Sequence, residues 1–290
     1  MNNKIRAISK YLLNIKNIIN SNIYMIIGCY GILAIIVLCL AIKWVLHIEL
    51  DPIFTPGLPP AWQNNGDINH ILGTDSLGHD IFNYLLISYK TTLVLTVRAT
   101  FYVVTIGAIV NYLLFLMPLL RVFVVIVFRL IIAIPPLLST IVVAIVWSNS
   151  IHSILITIGI CYLPRFVHNV HNQIMQEWQK TYIIAHRLDG LSTQKILIFY
   201  ILPNIFPAYL TELVGLFSNI ILALTILTFL GFGNNLVTPD IGMRMYQTFS
   251  LIKINYWPFL SSGLVIILSI FFIHMLNFGV HMILTKQVEN

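Results

Sequence analysis

The sequence predicts an all-α membrane protein with six transmembrane helices, and three observations support this fold class. Of the 290 residues, 58% are hydrophobic and only 9% are charged, whereas about a quarter of the residues in a soluble domain are charged. Several apolar runs are long enough to cross about 30 Å of hydrocarbon as helices. These runs are apolar on all sides, which argues against the alternating pattern of a membrane β-barrel.

Six apolar runs fit the predicted spans. They cover residues 24–46, 92–115, 122–147, 152–171, 205–230 and 257–282. The first run is too long for a cleavable signal, so we expect it to be retained as a transmembrane helix. The third run contains Pro135-Pro136, which we expect to kink the helix or break it locally.

The distribution of lysine and arginine predicts the orientation of the chain. With the N-terminus inside, the outer connecting segments hold only three basic residues, Lys90, Arg244 and Lys253. Because basic residues concentrate on the cytoplasmic side, we expect both termini to be cytoplasmic. The formal charge of +6 is then a topology signal of a protein in a lipid bilayer, and it does not indicate a nucleic-acid partner.

The largest predicted inner loop, residues 172–204, has the pattern of a short amphipathic helix followed by a turn. Gly190 suits the position just after a helix end. Ser192 can cap a second short helix, which we expect Pro203 to stop. Periodicity alone is equally compatible with a helix that lies on the lipid headgroups. The apolar positions at helical spacing are Trp178, Tyr182, Ala185 and Leu188.

The end of this loop, YIIAHRLDGLSTQKILIFYILPN (182–204), resembles the "EAA" loop of ABC-importer permeases. In that family a Glu-Ala-Ala triplet is followed by a glycine and, about a dozen residues later, by Leu-Pro. The matching positions here are Ile184, Ala185 and His186 for the triplet, Gly190 for the glycine, and Leu202 and Pro203 for the end. The glutamate and the second alanine of the triplet are therefore replaced.

Two further stretches resemble the dipeptide, oligopeptide and nickel branch of that family. GTDSLGHDIFNYLLISYKTTL (73–93) is similar to the segment that precedes its second span, with His79 in place of an arginine. LTFLGFG (227–233) and PDIG (239–242) are similar to the end of its fifth span and the residues that follow. The resemblance covers most of residues 70–282, with the segments in the family's order.

The resemblance implies a type I ABC importer permease fold with a cytoplasmic coupling helix. The N-terminal tail and first helix would occupy residues 1–46, an extracytoplasmic loop 47–91, and the permease core 92–285, which carries the coupling loop 172–204. The implied partners are a second permease subunit, two ABC ATPase subunits and an extracytoplasmic substrate-binding protein. The implied location is the cytoplasmic membrane of a bacterium.

The resemblance also implies which residues contact the ATPases. Arg187 and Lys195 could pair with acidic groups on the ATPases, or they could simply be anchors on the cytoplasmic side. The coupling residues implied are Tyr182, Ile184, Ala185, His186, Arg187, Gly190, Leu202 and Pro203.

Three ionisable residues in or near the apolar runs are candidates for the translocation pathway: Arg98, Arg129 and Glu212. Charged groups in a membrane are costly and usually face the bundle interior. A structural ion pair, such as Arg129 with Glu212, or a side chain reaching the interface remains the alternative. His168 and His171 form H-x-x-H without the glutamate of a metalloprotease, so we expect no metal site there.

The sequence contains no catalytic constellation. It lacks the G-x-x-x-x-G-K-[ST] phosphate loop, so we expect no cofactor and no enzymatic activity, with ATP hydrolysis on separate subunits. A stand-alone secondary transporter or channel remains the alternative, although internal repeats typical of that class are not evident. The cargo is open between di- or oligopeptides and nickel or a chelated metal.

Overall fold

The computed structural model describes residues 23–45, 55–75, 78–147, 150–233, 239–250, 252–253 and 255–289, and it is helical in these ranges except for turns and one isolated β-bridge between Thr74 and Asp80. The ten helices described are α1 (Ile23–Val45), α2 (Ile81–Leu116), α3 (Pro118–Ile132), α4 (Pro136–Trp147), α5 (Ile151–Trp178), α6 (Thr181–Leu188), α7 (Thr193–Ile196), α8 (Leu202–Phe229), α9 (Ile241–Phe249) and α10 (Trp257–Glu289).

Four long helical segments are apolar enough to cross a membrane: α2, α5, the continuous segment Thr193–Phe229, and α10 as far as Met282. The pair α3 and α4 passes the same test together but is bent by 87°, so it counts as a fifth span only if the two helices form one broken span. The bend falls at Pro135-Pro136, as the sequence predicts, because proline lacks the N–H that would continue the helix. The all-helical, multi-span class is therefore confirmed.

Helices α2 and α5 extend well beyond the predicted apolar runs, and α10 also continues past residue 282 to Glu289. Helix α2 begins at Ile81 rather than at residue 92, because the Asp80 carboxylate caps its first turn and accepts a hydrogen bond from the Asn83 N–H at 2.8 Å. Helix α5 continues to Trp178, seven residues past the predicted span. The predicted spans, which are based on apolar runs, correspond to the apolar parts of these helices and do not include their more polar ends.

The prediction that Pro203 stops the second helix of the inner loop is wrong. Residues Leu197–Ile201 form a π turn, in which the Leu202 N–H donates to the Leu197 carbonyl, and the helix then continues through Pro203. A π turn adds one residue to the helical turn, and Pro203 falls in the first turn of α8, where its missing N–H is tolerated. Ser192 lies at the cap position of α7, but its side chain makes no capping hydrogen bond.

The core lies where α2, α5 and α8 meet. Its fully buried side chains come from all three helices, among them Ala99, Ile154, Ile158, Ile220 and Leu224. Helix α1 packs along α10. The backbones approach closely there, because a Cβ added to Gly28 would lie 2.5 Å from the Leu276 nitrogen.

The short helix α9 lies in the segment 231–256, which connects the fifth and sixth predicted spans. Gly242 allows it to touch α8 directly, since an added Cβ would lie 2.2 Å from the Thr225 carbonyl oxygen. Arg244 is 2% exposed. Its guanidinium donates to the Ile81 carbonyl at 3.2 Å and lies 4.9 Å from the centre of the Tyr84 ring, so α9 is fixed to α2 as well. Burial lowers the Arg244 pKa to about 10.

Candidate functional site

Helix α6 presents one buried and several exposed apolar side chains. Ile183 is 0% exposed and fixes the helix to the core. The predicted stripe of Trp178, Tyr182, Ala185 and Leu188 did not identify Ile183 as this anchor. On the outer side, Ile184 and Ala185 are exposed and Leu188 is 84% exposed. An exposed apolar face on a helix of eight residues is typical of a surface that another protein covers.

The end of α6 confirms the prediction for Gly190. Its φ of +78° is left-handed, a region that residues with a Cβ adopt at a cost. The Gly190 N–H donates to the Arg187 carbonyl and the Leu191 N–H to the His186 carbonyl, both at 3.2 Å. This double hydrogen bond closes the helix and reverses the chain sharply toward α7.

A buried carboxylate that the sequence analysis missed holds α6 in place. Glu177, at the end of α5, is 6% exposed and forms an ion pair with the Lys180 ammonium at 2.7 Å. It also accepts a hydrogen bond from the Tyr182 hydroxyl, and the Asn204 amide donates to that hydroxyl oxygen at 2.7 Å. Burial and the Glu177 carboxylate raise the pKa of Tyr182, so the hydroxyl stays protonated at neutral pH.

This group of four side chains, the Glu177 cluster, joins three elements: the end of α5, the start of α6 and the start of α8. In the sequence analysis Asn204 is only the last residue of the segment 182–204, with no role assigned to it, and Glu177 is not singled out. An acidic residue beside a tryptophan at the end of an apolar helix was the available signal. This signal can be interpreted only when the end of α5 is known.

Ring contacts reinforce the same segment. The Arg187 guanidinium lies 4.8 Å from the centre of the Trp178 ring, and Trp178 packs edge-to-face on Phe115 at 5.0 Å. The His186 ring lies 4.1 Å from the Tyr200 ring. Arg187 and His186 are thus held in defined positions, although Arg187 remains exposed.

The remaining predicted coupling residues lie close to α6 or on its exposed side. Leu202 and Pro203 are exposed in the first turn of α8, next to Asn204 of the Glu177 cluster. Lys195 is exposed in α7. The start of α8 is linked to α6 through the hydrogen bond between Asn204 and Tyr182.

The three pathway candidates are not brought together. Glu212 is half-buried and lines a cavity of about 760 Å³ between α5, α8 and α10, where the Asn169 amide donates to its carboxylate at 3.0 Å. Arg98 and Arg129 are exposed on α2 and α3 and do not line this cavity. Among the described residues, no ion pair joins Arg129 to Glu212. A cationic residue that the sequence analysis assigned only to topology, Arg165, does line the cavity.

The H-x-x-H pair lies on α5. His171 is buried at 4% exposure and His168 is half-buried. Within the described parts of the chain, no group of three or more histidine, cysteine, aspartate or glutamate side chains is placed to hold a metal ion.

Residues 103–280 match the family described as "Binding-protein-dependent transport system inner membrane component". This match covers more than half of the chain and includes α6, the Glu177 cluster and the cavity lining except for His281. The chain belongs to this family. It is thus a multi-pass inner-membrane component of a binding-protein-dependent transport system, as the resemblance implied.

Curated relatives cover nearly the whole chain. The peptide transport system permease protein SapC of Escherichia coli O6:H1 is 30% identical over 280 residues, which are 91% of this chain and 90% of that protein. SapC of Salmonella typhimurium gives the same values. The di/tripeptide transport system permease protein DppC of Pseudomonas aeruginosa is 26% identical over 271 residues, with 91% of this chain and 88% of that protein covered.

Proposed function

We propose that the chain is one of two permease subunits of an ATP-driven ABC importer for di- and oligopeptides. The similarity to SapC and DppC, which are named for peptide transport, supports this cargo over nickel or a chelated metal. The observation that carries the proposal is the exposed apolar face of α6, because a permease that is driven from outside the membrane needs a docking helix.

The coupling role follows from how α6 is held. A helix transmits a displacement only if it moves as one body with the membrane helices behind it. Ile183 and the Glu177 cluster connect α6 to α5 and α8, while Ile184, Ala185 and Leu188 are free to enter a cleft on an ATPase subunit. Closure of the ATPase dimer on ATP would then favour one permease conformation, because the closed dimer binds that conformation more tightly.

The proposed topology has six spans and two cytoplasmic termini. The spans are α1, α2, the broken pair α3 and α4, α5, the segment from α7 through α8, and α10. The extracytoplasmic segment would be residues 47–91, whose last part forms the first turns of α2. The coupling loop 172–204 would lie in the cytoplasm within a permease core of residues 92–285. Cysteines placed at Gln194 and Asn65 test this topology, since only the first should react with a reagent restricted to the cytoplasm.

The charged residues divide between two proposed roles. Arg187, His186 and Tyr182, with Leu202 and Pro203 beside them, would form the polar border of the docking surface. Glu212 would face the translocation pathway. Arg98 and Arg129 remain predicted pathway residues. Because they lie outside the cavity, they would line the pathway only where the partner permease completes it.

The proposed complex needs a second permease, two ATPase subunits and a substrate-binding protein, and this chain would hydrolyse no ATP. Reconstitution of the complete complex in liposomes should give peptide uptake and ATP hydrolysis that the binding protein stimulates. Exchange of residues 182–190 for a Gly/Ser linker should abolish the stimulation while the spans remain folded. Uptake by the isolated chain, driven by an ion gradient, would instead favour a secondary transporter.

A further inference from the structure

The cavity between α5, α8 and α10 is lined by several polar residues, although these three helices are mainly apolar. Its volume of about 760 Å³ lies within the range of small-molecule sites, about 300–1,000 Å³. The polar residues that line it include Arg165, Asn169, Glu212, Asn219, His274 and Asn277. All of them lie on helices that are long and apolar enough to span a membrane.

The two charged residues of opposite sign in this lining are Arg165 and Glu212. Glu212 is half-buried and Arg165 is exposed on the cavity side of α5. No ion pair within the described ranges joins either of them to another residue, and thus they do not neutralise each other. The Glu212 carboxylate accepts a hydrogen bond from the Asn169 amide, which is a neutral donor. Both side chains are therefore available to bind a ligand that carries the complementary charges, and ionisable groups on membrane-spanning helices commonly mark substrate pathways.

Hydrogen-bonding groups also line this cavity. The side-chain carbonyl oxygen of Asn277 is buried and accepts no hydrogen bond from the described residues, which is unusual for a buried polar atom. Asn169 and Asn219 lie on the other two helices. Asparagine offers both a donor and an acceptor, which matches the N–H and carbonyl groups of a peptide bond.

We propose that this cavity binds a short peptide by both of its ends. The Glu212 carboxylate would accept hydrogen bonds from the terminal ammonium, and the Arg165 guanidinium would hold the terminal carboxylate. The three asparagines would pair with the peptide bonds between these ends. This inference rests on the proposed peptide-import function and adds to it a subsite that reads the free termini in the membrane.

A zwitterionic ligand would pair with both charges, which form no ion pair with each other. If Arg165 and Glu212 formed an ion pair, their charges would cancel and the cavity would not select ligands by charge. Held apart, they supply a negative and a positive position that only a molecule with the complementary charges satisfies at both ends. A peptide blocked at one end would leave one side chain unpaired, and this makes discrimination measurable.

The test uses the complete reconstituted importer with an unaltered binding protein and three probes: trialanine, N-acetyl-trialanine and trialanine amide. Each variant's uptake is divided by wild-type uptake of the same probe, which removes the binding protein's own preference. We expect Glu212→Gln to lower trialanine uptake about tenfold and to leave N-acetyl-trialanine uptake unchanged. Arg165→Gln should lower trialanine uptake similarly and leave trialanine amide unchanged.

Lys90→Gln is the matched control, because it removes an exposed charge from α2 away from the cavity. It should change the uptake of all three probes by the same factor. Equal losses for all probes in Glu212→Gln and Arg165→Gln, or no loss in either, would overturn the proposal.

A second measurement covers the case in which a blocked peptide is not delivered by the binding protein. A tripeptide with a photoreactive central residue should cross-link to α5, α8 or α10 at the cavity, and Glu212→Gln should remove most of that label. Label only on other helices would refute the site. If the wild-type complex shows no ATP hydrolysis stimulated by the binding protein, the proposed function itself fails. If stimulation is present without selectivity for the termini, only the cavity proposal fails.

Discussion

The hydroxyl of Tyr182 donates a hydrogen bond to the buried carboxylate of Glu177, and this contact ties the first turn of α6 to the last turn of α5. The two residues are only five positions apart, but a change of helix direction lies between them. Because the carboxylate also pairs with Lys180, the turn between the helices is fixed on both sides. This acidic group therefore helps to set the orientation of α6, together with the buried side chain of Ile183.

Tyr182→Phe should uncouple transport from hydrolysis without unfolding the protein. The change removes one hydrogen bond to a charged group, a contribution of about 1.5–3 kcal/mol, while Lys180 still pairs with Glu177. We expect fewer peptides imported per ATP hydrolysed in the reconstituted complex. Tyr200→Phe is the control, since the same atom is lost and the ring contact with His186 is kept. An unchanged ratio of uptake to hydrolysis in Tyr182→Phe would show that the Glu177 cluster does not orient α6.

Gly190→Ala should impair coupling through backbone strain alone. An added Cβ would meet no atom within 4 Å, so the cost arises from the left-handed φ and should be about 1–2 kcal/mol. We expect the variant to insert in the membrane but to lose stimulated ATP hydrolysis. Gly159→Ala, also in open space but within α5, should be neutral. If both variants retain full stimulation, the sharp turn after α6 is not required.

Leu188→Gln should weaken association with the ATPase subunits and leave stability almost unchanged. The side chain is 84% exposed, and substitutions at such positions usually alter the free energy of unfolding by less than about 0.5 kcal/mol. Co-purification of the ATPases with the permease measures the association. Ile183→Gln, on the buried side of the same helix, should instead lower the unfolding temperature. Full ATPase recovery with Leu188→Gln would argue against the exposed face as the docking surface.

Asp240→Asn should leave the unfolding temperature at neutral pH unchanged. It should also make the unfolding temperature less dependent on pH. Burial raises the Asp240 pKa, although hydrogen bonds from Thr228 and the Met243 N–H oppose the shift. A raised folded-state pKa means that the stability associated with the protonated form is lost as pH rises through that pKa. Asparagine keeps the cap of α9 and cannot ionise.

Thermal unfolding of the purified protein between pH 4 and pH 8 checks this expectation. The wild type should lose stability as the pH rises in this range more than Asp240→Asn does. Asp240→Ala removes the cap and also cannot ionise, so it should be less stable than Asp240→Asn by about 1 kcal/mol at every pH. An Asp240→Asn variant as unstable as Asp240→Ala at pH 8 would contradict the prediction.

The sequence by itself determined the features that depend on local chemistry. The apolar runs specify helices, because in a membrane every backbone N–H and carbonyl must be paired within the segment. Pro135-Pro136 specifies a break wherever it falls in such a helix, and Gly190 suits the left-handed residue after a helix end. The motif order along residues 70–282 was sufficient to indicate the family.

Only the tertiary structure decided the contacts between residues of different helices. Glu177 and Asn204 lie 27 residues apart, and neither is singled out by a pattern in the sequence. Their contact depends on where α5 ends and on the π turn that lets the helix continue through Pro203. Arg165 and Glu212 share a cavity, whereas Arg98 and Arg129 lie outside it, because helix rotation and packing determine which face each side chain occupies. A single sequence gives the periodicity of a helix but not the face that its neighbours cover, since an all-round apolar helix carries almost no directional signal.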